Sequence, residues 1–158
     1  MKPLLVGELN PYGDDDHFAL YPRPERASGH RLCTLVMGLR EADYLRRFDR
    51  ANLCYRKWSI VEARRRASEL LKARPCERQP DGPPIYPTIV LLGSKVCSAF
   101  GVEYAPFSIT THFEAWADLS YREYTAVVLP HPSGLCRTWN EPGAFDKARV
   151  ALVAAGVL

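Results

Sequence analysis

Short apolar runs alternate along this chain with longer stretches whose apolar residues recur at helical spacing, and no other feature restricts the fold as much. Pro3 to Leu9 reads as a buried strand broken by the turn formers NPYGDDD. Ser28 is a candidate N-cap for HRLCTLVMG, where Leu32, Leu35 and Val36 share a face and Gly38 is the stop; EADYLRRF follows as a second short helix. Asp49 to Tyr55 predicts a second strand, and Ile60 to Ala73 an amphipathic helix with Ile60, Ala63, Ala67, Leu70 and Leu71 on one face. RPCERQPDGPP is a Pro-rich connection. PTIVLLG then predicts a third strand, SKVCSAFG a helix closed by Gly101, TAVVLP a fourth strand, and AFDKARVALVAAG a final helix. Val102 to Glu123 carries no clear pattern. Strands separated by helices return parallel, and right-handed crossovers lay the helices over both faces. The expected fold is α/β: a three-layer α/β/α sandwich around a central four-stranded parallel sheet.

At 158 residues, 47% hydrophobic and 25% charged, the chain has material for one core, so residues 1–158 are read as a single domain. Its five cysteines stand 21 residues or more apart, which offers neither a CxxC pair nor a disulfide framework; free thiols in a reducing cytoplasm are expected. The apolar part of MKPLLVGEL is too short for a signal peptide, and no stretch reaches membrane-spanning length. A net charge of +3 supports nucleic-acid binding only if the charge is segregated. The glycines spell neither GxGxxG nor a P-loop.

In parallel sheets ligands bind beyond the carboxyl ends of the strands. That edge collects Asn10 after the first strand, Asn52 near the end of the second, and His131 after the fourth. The last of these loops, HPSGLCR, places a leucine where a Pro/Gly-rich turn gives it little core to join.

GELNPYG (7 to 13) followed by HPSGLCR (131 to 137) resembles the two signature motifs of the uracil-DNA glycosylase superfamily. ALYPRPERASGHRL resembles its aromatic-bearing segment, NLC its base-reading strand, and TIVLLGSKVCSAFG its third strand and helix, so the resemblance covers most of the chain in order. It implies a single glycosylase domain that hydrolyses the N-glycosidic bond of a flipped-out pyrimidine and leaves an abasic site, acting on DNA as a monomer with no cofactor, metal or protein partner. Such hydrolysis passes through an oxocarbenium-like sugar and a departing base anion, and so needs an oriented water and a donor to the leaving base. By the resemblance Asn10 orients the water, and His131 donates to the base O2. Asn52 reads the base's pairing edge, where its carboxamide suits uracil or a cytosine edge. Tyr21, with Phe18 as second candidate, stacks on the base, and Tyr12 crowds the pyrimidine 5 position.

The resemblance also explains the displayed leucine. Leu135 would fill the gap a flipped base leaves, Ser133 and Gly134 would bring backbone donors to a phosphate, and Arg137 would add charge. The competing placement packs Leu135 on the final helix. Asp14, Asp15 and Asp16 are either a solvated acidic turn or carboxylates that accept hydrogen bonds from a sugar on the base. The second reading points to the anti-phage branch that removes α-glucosylated 5-hydroxymethylcytosine, and Tyr12 points instead to uracil excision in base repair. Of another class is a catalytically silent module that binds DNA or nucleotides. The contiguous Arg64, Arg65 and Arg66 spread around their helix and read as a solvated face.

Overall fold

The computed structural model describes residues 1–10, 13, 15–73, 87–115 and 121–158. Its centre is a five-stranded sheet in the order β2-β1-β3-β5-β4, built from β1 (Leu4–Leu9), β2 (Asp49–Cys54), β3 (Thr88–Leu92), β4 (Ile109–Ala115) and β5 (Tyr121–Leu129). The pairs β1 with β2, β1 with β3 and β3 with β5 are parallel, whereas β4 runs antiparallel to β5. The fold is therefore α/β with a mostly parallel sheet.

The expected four parallel strands are all present, and the four-stranded expectation is corrected by one antiparallel edge strand. β4 lies in the stretch that carried no pattern. Ile109, Thr110 and Thr111 are all exposed, so this edge strand lacks the apolar run that marks a buried one. Its main-chain bonds to β5 define it, and Phe107 N–H leads into them by donating to Val128 O at 2.7 Å.

Alternation along the strands feeds two cores. Leu5, Val90, Leu92, Val127 and Leu129 face α2 (Glu41–Arg47), α5 (Ala144–Ala154) and the segment between residues 28 and 36. Leu4, Val6, Ala51, Leu53, Ile89, Leu91 and Val128 face α3 (Ile60–Lys72) and α4 (Ser94–Phe100). In α3 the sequence pattern holds: Ala63, Ala67 and Leu71 are buried, Ile60 and Leu70 pack against them, and Ser59 Oγ caps Glu62 N–H at 3.4 Å. The helix α4 ends as expected on Gly101, at φ 67°.

The segment after Ser28 departs from its pattern twice. The α1 turn (Ser28–His30) has Ala27, not Ser28, at the cap, so Ser28 is already helical. It continues as a π-helix, Arg31–Val36, in which Met37 N–H bonds Leu32 O, five residues back. That wider turn keeps Leu32, Cys33 and Val36 inward and leaves Leu35 exposed, against the expectation from α-helical spacing. The Pro-rich connection from residue 74 to 84 lies outside the described residues. Among the described residues no helix is long and apolar enough to cross a membrane.

Candidate functional site

Beyond the carboxyl ends of β1, β2 and β5 lies a cleft of about 610 Å³. Glu8 and Leu9 from β1, Asn52 from β2, and His131, Ser133 and Gly134 from the loop after β5 line one side. The segment from Phe18 to Gly29 closes the other. Parallel pairing sets Gly7 beside Asn52 on adjacent strands, and a Cβ at Gly7 would overlap Asn52 Oδ1. The missing side chain at Gly7 is thus the space the Asn52 carboxamide occupies.

Asn52 is 2% exposed, yet its Oδ1 accepts no hydrogen bond. A buried carbonyl oxygen left without a donor is costly unless a ligand supplies one, and Asn52 is a residue that lines the cleft. His131 is held from two sides. Its Nδ1 accepts from Ser133 N–H at 3.2 Å, and its carbonyl accepts from Trp139 Nε1–H at 2.8 Å. With Nδ1 an acceptor, the neutral ring carries its proton on Nε2, which makes that atom a donor. Burial lowers the His131 pKa below its ordinary 6.5; Glu8 opposes the shift and Lys95 adds to it. The chain can approach this closely because Gly93, at φ 99°, has no side chain: a Cβ there would lie 3.1 Å from His131 Cβ.

Phe18 and Tyr21 both line the cleft, with ring centroids 6.0 Å apart and edge to face. The Arg50 guanidinium lies 5.6 Å from the Tyr21 centroid while Nη1 donates to Ala19 O, so Tyr21 has a cation beneath it. Tyr44 Oη–H, fully buried, donates to Leu20 O and steadies the same turn. Gly29 brings the α1 turn against it, and a Cβ there would overlap the carbonyl oxygens of both Leu20 and Tyr21. Gly29→Ala is therefore expected to lower stability by about 1–3 kcal/mol, as overpacking against backbone does, with a lower thermal midpoint as the check.

The loop after β5 is fixed to the helical segment that follows the opposite wall, since Arg31 Nε donates to Pro132 O at 3.0 Å. Leu135, 93% exposed, stands at its tip, so the competing placement on the final helix is not adopted. Arg137 is exposed and opens a 3₁₀ turn, Arg137–Asn140.

The first-motif residues distribute differently. Asn10 is 2% exposed, but it is not a lining residue of the cleft; its Nδ2 donates to Asp15 O at 2.9 Å and its N–H to Cys54 O at 3.1 Å. Tyr12 and Asp14 lie outside the described residues. Asp15 Oδ1 caps His17 N–H at 2.8 Å, and Asp16 accepts from Tyr55 Oη–H and pairs with Arg66. Neither carboxylate borders the cleft. Arg66 is correspondingly not the freely solvated residue its position suggested, while Arg65 pairs on the helix surface with Glu69 at 2.6 Å.

Sequence reasoning missed Glu8, which borders the cleft, and its partner Lys95 at 3.1 Å. The available signal was a lone carboxylate near the end of an otherwise apolar strand, LLVGEL. Glu25 and Ser28 of the facing wall were missed as well. No family model, curated protein or solved structure matches this chain.

Proposed function

We propose that this chain is a monofunctional DNA glycosylase of the uracil-DNA glycosylase type, acting on a pyrimidine turned out of the helix into the cleft. The observation that carries the reading is the buried, unpartnered Asn52 Oδ1 in a cleft it shares with the His131 imidazole. A flipped pyrimidine fits both: its pairing edge has the donor that Asn52 Oδ1 lacks, and its O2 develops the charge that His131 Nε2–H stabilises. Tyr21 and Phe18 supply the stacking wall. The sheet order, with four parallel strands of which three end at the cleft, supports a fold of that type.

Cleft size leaves room for a bulky modified base. About 610 Å³ is in the range that holds drug-sized ligands, well beyond one pyrimidine ring. Asp15 and Asp16 are engaged elsewhere, so the groups suited to hydroxyls of a base-linked sugar are Glu25 and Ser28 on the far wall. The decisive test incubates the protein with matched uracil-containing, unmodified and α-glucosylated 5-hydroxymethylcytosine DNA, followed by alkali cleavage and a gel. Strand breaks at the glucosylated base ahead of uracil are expected. Uracil release at equal or greater rate would move the substrate to repair, and no release from any of them would leave a silent binding module.

Leu135 gives a separate check. Its exposure and its place on a braced loop fit an apolar wedge. Leu135→Ala should slow release from duplex DNA about tenfold more than from single strands, where no stack is opened. Equal losses on both substrates would contradict the wedge.

A further inference from the structure

We propose that Glu8, and not Asn10, is the catalytic group that receives the proton of the attacking water, an inference that rests on the glycosylase reading. Along β1, Leu4 and Val6 are buried on the face toward α3 and α4, and Glu8 continues that face to the open end of the strand. There it borders the cleft together with His131. Its side chain is only 18% exposed, and Oε2 accepts from Lys95 Nζ at 3.1 Å. Lys95 is itself placed by Trp58, whose ring centroid is 5.6 Å from Nζ. Oε1 and His131 both lie close to Gly93: a Cβ built there would be 3.6 Å from Glu8 Oε1 and 3.1 Å from His131 Cβ. The carboxylate and the imidazole thus flank one glycine at the mouth of β3.

Asn10 is less suited to this step. A carboxamide cannot take up a proton, its Nδ2 is bonded to the Asp15 carbonyl, and it does not border the cleft. A carboxylate near the sugar also offsets the positive charge that develops there. In the step proposed, the C1′–N1 bond breaks and its electron pair leaves with N1. The water oxygen bonds C1′ as its proton passes to Glu8 Oε1. His131 Nε2–H holds the base anion through O2. Glu8 then returns its proton to solvent, and the base takes one from solvent as it departs, so one water is consumed for each base released.

Single-turnover base release on whichever of the three DNAs the unaltered protein cuts tests this. Glu8→Gln, which keeps the shape, should slow the chemical step by about 10²-fold or more, with duplex binding and thermal midpoint unchanged. Glu8→Ala should fall similarly and recover by about tenfold with added formate, a carboxylate that can occupy the vacated space, while Asn10→Ala should show no formate response. Glu8→Asp should retain more activity than Glu8→Gln, which separates loss of the carboxylate from loss of fold. Release by Glu8→Gln within about threefold of the unaltered protein, or absence of formate rescue in Glu8→Ala, overturns the role of Glu8 and leaves the glycosylase reading intact. Absence of release by the unaltered protein on all three DNAs overturns both.

Discussion

His131→Ala is expected to slow base release by about 10²–10³-fold while leaving the thermal midpoint of unfolding within a degree or two of the parent, the loss typical of one preorganised donor to a developing anion. The geometry separates chemistry from stability at this residue. Among the described residues the ring's hydrogen bond to main chain is Ser133 N–H to Nδ1, and the shorter bond, from Trp139 Nε1–H, runs to the His131 carbonyl, which alanine keeps. The pH dependence follows from the same contact. Protonating Nδ1 would set two donors against each other at Ser133, and burial already disfavours the charged ring, so the neutral form of His131 is the favoured one and the form in which the proposed donor acts. Release should therefore hold level above the ordinary histidine value of 6.5 and decline only below it. Stability carries the same sign. The unfolded chain takes up this proton at the ordinary value and the folded chain only lower, so the contribution is complete above pH 6.5 and is lost as pH falls toward the folded pKa. Denaturation followed from neutral to mildly acid pH should show that slope in the parent and a shallower one in His131→Ala; an equal slope in both would remove the histidine from the account.

The parts of the fold legible in the sequence were those with a strong local period. β1, β3, α3, α4 and α5 lie close to where apolar runs and helical spacing put them, because each buries a continuous stripe or run, while β2, thin in apolar residues, was placed partly by its position between helices. What was not legible depends on partners distant in the chain. β4 is a strand because β5 supplies its bonds, not because of its own side chains. The π-helix from Arg31 to Val36 has an ordinary helical sequence, and the segment is held by contacts distant in the chain: Arg149 of α5 donates to the carbonyls of Leu35 and Val36, and Gly29 seats the segment on Leu20 and Tyr21.

The site divides in the same way. Asn52, His131, Tyr21, Phe18, Ser133 and Gly134 do meet at one cleft, since the carboxyl ends of parallel strands leave the sheet at a shared edge. Reading a short acidic run as one unit failed, because consecutive residues point different ways: Asp15 turns back to cap His17 and Asp16 crosses to Arg66. Glu8 was hidden for the opposite reason. A single charge in an apolar strand has no pattern, and only the register that sets β1 between β2 and β3 brings it to the cleft beside His131.

The pairing of Gly7 with Asn52 leads to the other large expected effect, and it is one that a substitution at Asn52 alone would not test. Asn52→Ala removes the amide proposed to match the base edge and should lower kcat/KM by about 10³-fold, because a buried site built for hydrogen bonds discriminates strongly when one side of the pair is lost. Gly7→Ala keeps every functional group, yet its methyl would overlap Asn52 Oδ1 and also press on Leu20, so the carboxamide must leave its present position. Both strands are held in register by main-chain bonds and cannot part to make room. Gly7→Ala should therefore approach the loss seen in Asn52→Ala, and the double variant should be little worse than either single one, since both remove the same interaction. Gly7→Ala combined with Asn52→Ala should even recover stability relative to Gly7→Ala, as the smaller side chain relieves the overlap. Independent, multiplicative losses in kcat/KM would mean that Gly7 acts on the cleft through Leu20 instead, and that the Asn52 carboxamide is not what the missing side chain protects.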